Sequence, residues 1–359
     1  MLHKIRAHAI DGKLITWLEN WLANRRQQVV INGHCSGWEQ VLSGVPQGSI
    51  LGPLCFIIFI NDIDCAAELV NIISKFADDT KLGAKISSPA DRENLQLCLN
   101  NLCLWAQQWG MQFNTDKCKV IHVGRNNPCY NYSMNNHELA SVVQERDIGV
   151  VTHQSLKPSV QCHKAAEKAN LVLGQICRAF HFRDRKVFIE LYKRYVRCHL
   201  EFSVPAWRPW QTQDIETLEK VQKRAVKMVS GLRTTTYEER LIELNLPSLS
   251  ARRELFDMLE TFKILNGFSK VDSEKLFTPL HNTSQRLTRL SADPQNIYPK
   301  QAKGDVRKNF FTVRVIPAWN NLPKIVKESA NPTIFKKRYD SYIRNLMVAG
   351  QYQPELEQN

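Results

Sequence analysis

The sequence lacks the features of a secreted or membrane-spanning protein. None of its ten cysteines forms a CxxC pair, and the first residues do not have the pattern of a signal peptide, so we expect reduced thiols and not a disulfide framework. The longest apolar run, Ile50 to Ile60, is interrupted by Gly52 and Pro53 and is far shorter than the roughly 20 residues of a membrane span. These absences predict a cytoplasmic or nuclear protein with a buried helix at this run and no membrane partner.

Acidic side chains are fewer than basic ones. Lys and Arg number 48 against 35 Asp and Glu, which gives a net charge of +13. Such a surplus is typical of a protein with a polyanionic partner, with nucleic acid favoured over membrane. A basic soluble protein without such a partner is the alternative. At 359 residues and 43% hydrophobic content, the chain is long enough for two or three domains.

The first 150 residues mix helical and strand periodicity. The pattern predicts helices over 14–22, 50–60 and 95–105, a turn at Asn32-Gly33, a strand-rich stretch from Leu69 to Leu82, and a strand over 118–123. Because helices and hairpins alternate, the predicted fold class is α/β (α+β).

Long helices are predicted from about residue 155 onward, and Thr236 with Glu239 fits a capping box at the start of one of them. The clearest is amphipathic, with Ile215, Leu218, Val221 and Ala225 on its apolar face. Its opposite face carries four candidate nucleic-acid-binding residues, Lys220, Lys223, Arg224 and Lys227. The chain is therefore divided into an α/β region over 1–150, a helical region over 151–268 and a basic C-terminal region over 269–359.

Residues 43–54, SGVPQGSILGPL, form the first motif with chemical potential. Two glycines and a proline ahead of a helix predict a tight loop whose backbone approaches a ligand closely. Gln47 offers a hydrogen-bonding side chain, and Ser49 is a candidate helix cap. The same composition also suits an ordinary connection from a loop to a helix.

Residues 75–82, KFADDTKL, form the second motif and place Asp78 and Asp79 at the tip of a predicted hairpin. Two carboxylates this close repel each other, and a bound cation of charge two or more gives a reason to keep them together. Asp is also common in turns, so the pair alone does not decide the matter. A zinc site built from Cys118, His122, Cys129 and His137 is disfavoured, because the first two would lie in a strand with unsuitable spacing.

The two motifs together, about two dozen residues apart, resemble the palm domain of reverse transcriptases. The forms GVPQGSILGP and FADDT resemble the non-LTR, LINE-type branch in particular. Further positions similar to that branch are Trp17, Arg25, Gln27, Gly33, Trp105, Asn114, Lys117 and Ile148-Gly149-Val150. Near the end, Arg307, Phe310-Phe311, Arg314 and Trp319-Asn320-Asn321-Leu322-Pro323 resemble the closing segment of jockey-related elements.

This resemblance implies a partial reverse-transcriptase palm with an antiparallel sheet and packed helices, followed by a thumb-like helical region. It implies RNA-directed DNA polymerase chemistry on an RNA template and a DNA primer. Two Mg²⁺ or Mn²⁺ ions, about 3.5–4 Å apart, act in such nucleotidyl transfer. By the same resemblance Asp78 and Asp79 are the metal ligands.

Other site residues are also assigned by the resemblance. Pro46, Gln47 and Gly48 would shape the pocket for the templating base and the incoming nucleotide. Phe76 would pack near the primer end. Lys117 is the candidate proton donor or phosphate contact, and a solvated turn lysine is its alternative interpretation.

One expected group is absent from this sequence. The family's other essential metal ligand is an aspartate in an upstream strand of the type hydrophobic-x-Asp-x-x-x-Ala-Phe-Asp. Residues 1–42 contain only Asp11, Glu19 and Glu39 as acids, none of them in that context. We therefore expect an N-terminally truncated family member, either a decayed element copy or part of a longer protein. The metal would not be bound productively and the chain would be inactive as a polymerase.

Two alternatives from other classes remain. The first is a non-catalytic nucleic-acid-binding relic or host-adopted protein, since nine Lys and Arg face three acids between His163 and His199, and eleven face three between Lys300 and Arg344. The aromatics interleaved with them are Tyr192, Tyr195, Phe310, Phe311 and Trp319. For Phe311 and Trp319, core packing is favoured. The second alternative is a chain that does not fold stably, because an incomplete palm leaves a strand edge and apolar surface uncovered.

Overall fold

The computed structural model describes residues 1–68, 70–280, 293–349 and 351, in two units that adjoin in sequence at Val142 and Val143. Helices and short strands alternate in the first unit, and helices dominate the second. The predicted α/β class with a helical C-terminal region is confirmed. The three functional domains predicted from the sequence remain a prediction.

The first unit contains four α-helices and one 3₁₀ helix among the described residues. They are α1 (Leu2–Ala7), α2 (Lys13–Leu22), α3 (Leu51–Ile60), the 3₁₀ helix Asn61–Ala67 and α4 (Pro89–Gln108). The predicted helices over 14–22 and 95–105 are confirmed. At the start of α4, Ser88 and Asp91 form a capping box, which satisfies two backbone N–H groups that the first turn leaves without partners.

Ten short strands complete the first unit. They are β1 (Arg26–Gln27), β2 (Val30–Ile31), β3 (His34–Cys35), β4 (Glu39–Gln40), β5 (Ile72–Phe76), β6 (Asp79–Gly83), β7 (Lys119–Val120), β8 (Ser133–Met134), β9 (His137–Glu138) and β10 (Ala140–Ser141). The pairs β1–β4, β2–β3, β5–β6 and β8–β9 are antiparallel, whereas β7–β10 is parallel. Every described strand has a single partner. The predicted antiparallel sheet is therefore replaced by separate two-stranded pairs, all but one of them antiparallel.

The predicted turn at Asn32-Gly33 is confirmed. Both residues have positive φ, 50° and 82°, as a type I′ turn requires between two antiparallel strands. The strand predicted over 118–123 is shorter in the structure, where only β7 forms. Leu69, the first residue of the predicted strand-rich stretch from 69 to 82, lies outside the described residues.

The helix predicted for the apolar run forms as α3, but it is not buried as expected. Gly52, Cys55 and Ile60 face inward, whereas Leu54 and Ile57 are 53% and 55% exposed. The helix is apolar on all sides, and such a helix is ordinarily buried all round. Here the described part of the first unit covers one side of it.

The second unit begins with a β-hairpin and continues as helices. Its strands are β11 (Gln144–Asp147) and β12 (Val150–His153), which pair in antiparallel fashion. Its first helices are α5 (Ser159–Ala179), α6 (Arg185–Leu191), a π-helical turn (Tyr192–Val196), α7 (Arg197–Glu201), α8 (Val204–Trp207), α9 (Thr212–Lys227), α10 (Tyr237–Glu243) and α11 (Leu249–Leu265). The later ones are α12 (Ser273–Leu276), α13 (Asp305–Lys308), α14 (Phe311–Asn320), α15 (Lys324–Lys327) and α16 (Pro332–Val348).

The second unit has two apolar clusters. The first packs α5, α6, the π-helical turn and α9 around Leu173, Tyr192 and Leu218. The second packs α11, α14 and α16 around Phe262, Trp319 and Phe335. In this unit the predicted amphipathic helix α9 and the capping box of Thr236 and Glu239 at the start of α10 are confirmed.

Membrane-spanning character is not found in the described helices, none of which is both long enough and apolar enough to cross a bilayer. All ten cysteines carry free thiols.

Candidate active site and nucleic-acid-binding surface

The β5–β6 hairpin presents the paired acids at its tip. Phe76 and Asp79 are the last residues paired across the strands, so Ala77 and Asp78 form the two-residue turn. Both carboxylates are exposed to solvent. The predicted position of the Asp78-Asp79 pair at a hairpin apex is therefore confirmed.

The turn itself is conformationally strained. Ala77 has a φ of 52°, in the left-handed region that L-residues with a side chain adopt at a cost of about 1–2 kcal/mol. Backbone strain of this kind is found disproportionately at functional sites. The strained residue directly precedes Asp78 in the turn.

Lys75 fixes the hairpin to the segment that follows α3. Its Nζ donates to the carbonyl oxygen of Asn61 at 2.8 Å and lies 2.7 Å from Oδ2 of Asp64. Lys75 alternates with Phe76 along β5, so the lysine faces the unit and the phenylalanine faces solvent. The sequence analysis did not predict this contact. Because successive side chains of a strand face opposite sides, the pattern Lys75-Phe76 could have shown that one of the two faces the unit.

The 43–54 loop is held by hydrogen bonds of its own. Ser49 Oγ donates to the Pro46 carbonyl oxygen at 2.7 Å and accepts from the Gly52 N–H at 3.0 Å. Ser49 thus binds an N–H of the first turn of α3 from one residue ahead of the N-cap position, which is Ile50 and has no side-chain cap of its own. A side chain at Gly52 would meet Pro46 O at 2.7 Å, so only glycine fits there.

Arg25 supports the same loop from outside. Its Nη2 donates to the carbonyl oxygens of Gly44 at 2.6 Å and Ser43 at 3.3 Å. Gln47 and Gly48 are exposed at the outer end of the loop, with Pro46 half-buried behind them. The arrangement leaves the backbone and amide of Gln47-Gly48 open to a ligand.

Lys117 is exposed in a turn. Its backbone N–H donates to the carbonyl oxygen of Asn114 at 3.1 Å and to Oδ1 of the same residue at 3.3 Å. These hydrogen bonds hold the backbone of Lys117 in the turn. A role of the Lys117 side chain in binding a phosphate remains a prediction.

A third metal-binding acid does not join Asp78 and Asp79 in the described part of the chain. No group of three or more His, Cys, Asp or Glu side chains with metal-binding geometry occurs there. Among the four residues weighed for zinc, His122 Nε2 lies 3.2 Å from Ser141 Oγ, His137 Nε2 lies 3.5 Å from Asp116 Oδ1, and burial raises the pKa of the Cys118 thiol. Protonated thiols are poor zinc ligands.

The other acids near the N-terminus have structural partners or solvent exposure. Asp11 Oδ1 accepts from the Gly12 N–H at 2.7 Å, as a turn residue does, and Glu19 is exposed on α2. Asp62, in the 3₁₀ helix that follows α3, lies 2.6 Å from Nζ of Lys4. This ion pair was not foreseen, because 58 residues separate the two partners.

The basic face of α9 lies in the second unit and is exposed at all four predicted positions. Lys220 pairs with Glu216 at 3.3 Å, and Arg224 Nη1 donates to Asn170 Oδ1 at 3.2 Å. Lys223 Nζ lies 5.2 Å from the centroid of the Tyr237 ring. The face is positively charged and solvent-accessible, which is what phosphate binding needs.

The inner face of α9 holds a buried polar network. Gln222 accepts from the Tyr192 hydroxyl at 2.7 Å and donates to the Tyr237 hydroxyl at 3.0 Å. Tyr237 in turn donates to Glu219. Burial raises the pKa of both phenols, which keeps them protonated as donors. Tyr192 is therefore a core residue, and its inclusion among the aromatics of a phosphate-binding surface was wrong.

Two of the basic residues counted between Lys300 and Arg344 are also internal. Lys327 is 1% exposed, and its Nζ contacts Asn296 Oδ1 at 2.6 Å and Asp293 Oδ2 at 2.9 Å. Arg314 is largely buried against Asp257. The cationic surface here is smaller than the sequence count indicates. Trp319 is fully buried, as favoured from the sequence.

Comparison with known proteins decides the family of the first 165 residues. Residues 1–165 match the family described as "Reverse transcriptase (RNA-dependent DNA polymerase)". These residues are a reverse transcriptase segment of the LINE type. The reverse transcriptase segment covers the whole first unit and the beginning of α5.

Relatives of the reverse transcriptase segment are polymerases of Drosophila mobile elements. The RNA-directed DNA polymerase from mobile element jockey of Drosophila melanogaster is 27% identical over 147 residues, 39% of this chain and 16% of the relative. The jockey protein of Drosophila funebris is 26% identical over 164 residues, 44% and 18% of the two chains. The probable polymerase from transposon BS of Drosophila melanogaster is 31% identical over 121 residues, 32% and 12%. The chain thus spans less than a fifth of each relative, and no solved structure matches it.

Proposed function

We propose that the chain supplies the Asp78-Asp79 corner and the nucleotide-facing loop of an RNA-directed DNA polymerase. Its partners are an RNA template and a DNA primer, and it acts in the cytoplasm or nucleus. Asp78 and Asp79 are the metal-binding acids, and Lys117 is the proton donor or phosphate contact. Pro46, Gln47 and Gly48 shape the nucleotide pocket, and Phe76 packs near the primer end.

The observation that carries this proposal is the strained, exposed Asp78-Asp79 hairpin tip in a chain related to jockey-type polymerases. Two features support it. Phe76 pairs with Asp79 across the strands, so an aromatic surface lies beside the acids. The Gln47-Gly48 end of the 43–54 loop is open to solvent, and backbone groups there are available to a ligand.

The described residues do not complete a two-metal centre. Reverse transcriptases use divalent metal ions, and a two-ion site needs oxygen ligands on both ions. Asp78 and Asp79 supply two carboxylates, but no third His, Cys, Asp or Glu groups with them among the described residues. We therefore expect that a polypeptide of residues 1–359 alone does not extend a primer.

Primer extension tests this proposal. Residues 1–359 are incubated with a template-primer, all four deoxynucleotides, and Mg²⁺ or Mn²⁺, with Asp78→Ala as the control. The proposal expects no extension above that of the control. Robust extension by the unmodified chain that is lost with Asp78→Ala would overturn the claim that a carboxylate is missing.

A second candidate is a nucleic-acid-binding protein without polymerase activity. The exposed basic face of α9 favours it, since Lys220, Lys223, Arg224 and Lys227 are all accessible on one helix. Such a surface binds phosphates without reading sequence, and its affinity falls steeply with salt. Gel shifts of residues 1–359 with single-stranded RNA and DNA test it. Absence of binding at low salt would remove this candidate.

A further inference from the structure

Lys4 lies inside a cage of aromatic rings in the first unit. Its Nζ is 3.9 Å from the centroid of the Trp109 ring, 4.5 Å from that of Trp105 and 4.6 Å from that of Phe59. The same atom donates to the Phe59 carbonyl oxygen at 2.7 Å and to Asp62 Oδ1 at 2.6 Å. Lys4 is only 6% exposed, so three rings, a carbonyl and a carboxylate surround one ammonium group.

The walls of the cage come from elements other than α1. Phe59 is in α3, Asp62 is in the 3₁₀ helix, and Trp105 is in α4 with Trp109 directly after it. The rings also contact one another, with centroids 6.3 Å apart for Phe59 and Trp105 and 6.1 Å apart for Phe59 and Trp109. The wall elements also pack on one another through an apolar cluster that includes Ile60, Ile63 and Leu102. These apolar contacts hold the walls of the cage together in addition to the contacts with Lys4.

The chemistry of these walls is that of ammonium recognition. Aromatic faces attract a cation through their negative quadrupole, most strongly where water is excluded. An exposed ion pair alone contributes little free energy, and the Asp62 carboxylate is 44% exposed. The aromatic rings therefore supply the larger part of the attraction for the Lys4 ammonium group. The two acceptors select further, because a primary ammonium donates to both whereas a quaternary ammonium donates to neither.

We propose that Phe59, Asp62, Trp105 and Trp109 form a binding site for primary alkylammonium groups, which Lys4 occupies as an internal ligand that anchors α1. This site is separate from the Asp78 hairpin and its proposed function. Its specificity is for charge and for N–H donors together. A neutral group of the same shape lacks the first property, and a tetraalkylammonium ion lacks the second.

Chemical rescue tests the site. Lys4→Ala removes the atoms from Cγ to Nζ, which n-propylammonium replaces. We expect Lys4→Ala to lower the Tm, and n-propylammonium to raise it again along a saturating single-site curve. Tetramethylammonium should raise it less, and 1-propanol or sodium chloride at equal concentration should not raise it. The matched control is Lys13→Ala, an exposed lysine on α2, for which no additive should restore stability selectively.

Further variants keep the proposal falsifiable if Lys4→Ala does not fold. Lys4→Met retains most of the apolar stem without the charge and should have a lower Tm than the unmodified chain by more than Lys13→Met does. Where Lys4→Ala does fold, adding Asp62→Asn to it should weaken the rescue by n-propylammonium several-fold. The proposal is overturned if n-propylammonium acts no better than sodium chloride, or if Lys4→Met is as stable as the unmodified chain.

Discussion

Arg314 binds both carboxylate oxygens of Asp257 in the second unit. Its Nε lies 2.8 Å from Oδ2 and its Nη2 lies 2.8 Å from Oδ1, while Arg208 Nη1 approaches Oδ2 at 2.6 Å. Asp257 is fully buried. A bidentate pair of this kind is geometrically specific, so Arg314, which the sequence analysis placed in a segment resembling jockey-related elements, acts in the fold of the second unit.

Loss of Arg314 should destabilise the second unit strongly. Arg314→Ala leaves the buried Asp257 carboxylate with Arg208 alone, and breaking a buried pair from one side costs about 3–5 kcal/mol. Urea unfolding followed by circular dichroism measures this free energy. Arg307→Ala is the control, because Arg307 is exposed and should change it by less than about 0.5 kcal/mol. A loss below about 1 kcal/mol for Arg314→Ala would contradict the structural role.

Asn320 should behave as a structural residue and its neighbour Asn321 should not. Asn320 accepts from the Ile297 N–H at 2.9 Å and donates to the Ile297 carbonyl at 2.8 Å. Asn320→Ala leaves two backbone groups without partners, at a cost of about 1–3 kcal/mol. Asn321 is exposed, and Asn321→Ala should be nearly neutral in the same unfolding assay. Equal effects of the two substitutions would refute this assignment.

Ala77→Gly should stabilise the hairpin tip. Relief of the positive φ at Ala77 offsets the greater flexibility of glycine in the unfolded chain, and the net gain should be about 0.5–1 kcal/mol. Ala77→Val, a β-branched residue in the same conformation, should destabilise instead. The two variants are compared by thermal unfolding. The inference of strain fails if glycine lowers the Tm or valine leaves it unchanged.

Neutralising the basic face of α9 should weaken nucleic-acid binding in a salt-dependent way. The variant with Lys220, Lys223, Arg224 and Lys227 all changed to Ala should reduce the slope of log K against log salt by about 0.7–0.9 per lost phosphate contact. Glu216→Gln, on the same helix, removes an acid and should leave the slope intact while binding strengthens slightly. Fluorescence anisotropy with a labelled single strand measures both. An unchanged slope in the fourfold variant would show that the nucleic acid binds elsewhere.

Local sequence signals predicted the elements that depend on local chemistry. The turn at Asn32-Gly33, the capping box of Thr236 and Glu239, and the Asp78-Asp79 hairpin all follow from residues close together in the chain. Side-chain periodicity likewise predicted the buried and exposed faces of α9.

Contacts between distant residues could not be predicted in this way. Lys4 with Asp62 and Arg314 with Asp257 join residues 58 and 57 positions apart, and a charge count treats all four as surface groups. The charge count also placed Tyr192 on a surface, because many of its neighbours in sequence are basic. In the structure Tyr192 is buried against Gln222. The exposure of α3 was missed for another reason: an apolar sequence shows that burial is favourable, but not which residues cover the helix.

The central claim is that Asp78 belongs to a polymerase site to which this chain contributes only part of the acids. The most direct measurement is primer extension by a chimera in which residues 1–359 follow the part of the Drosophila melanogaster jockey polymerase that precedes its similar segment. The account predicts extension that requires Mg²⁺ or Mn²⁺, disappears with Asp78→Ala and persists with Glu93→Ala, an exposed acid on α4 outside the site. Extension that survives Asp78→Ala would contradict it.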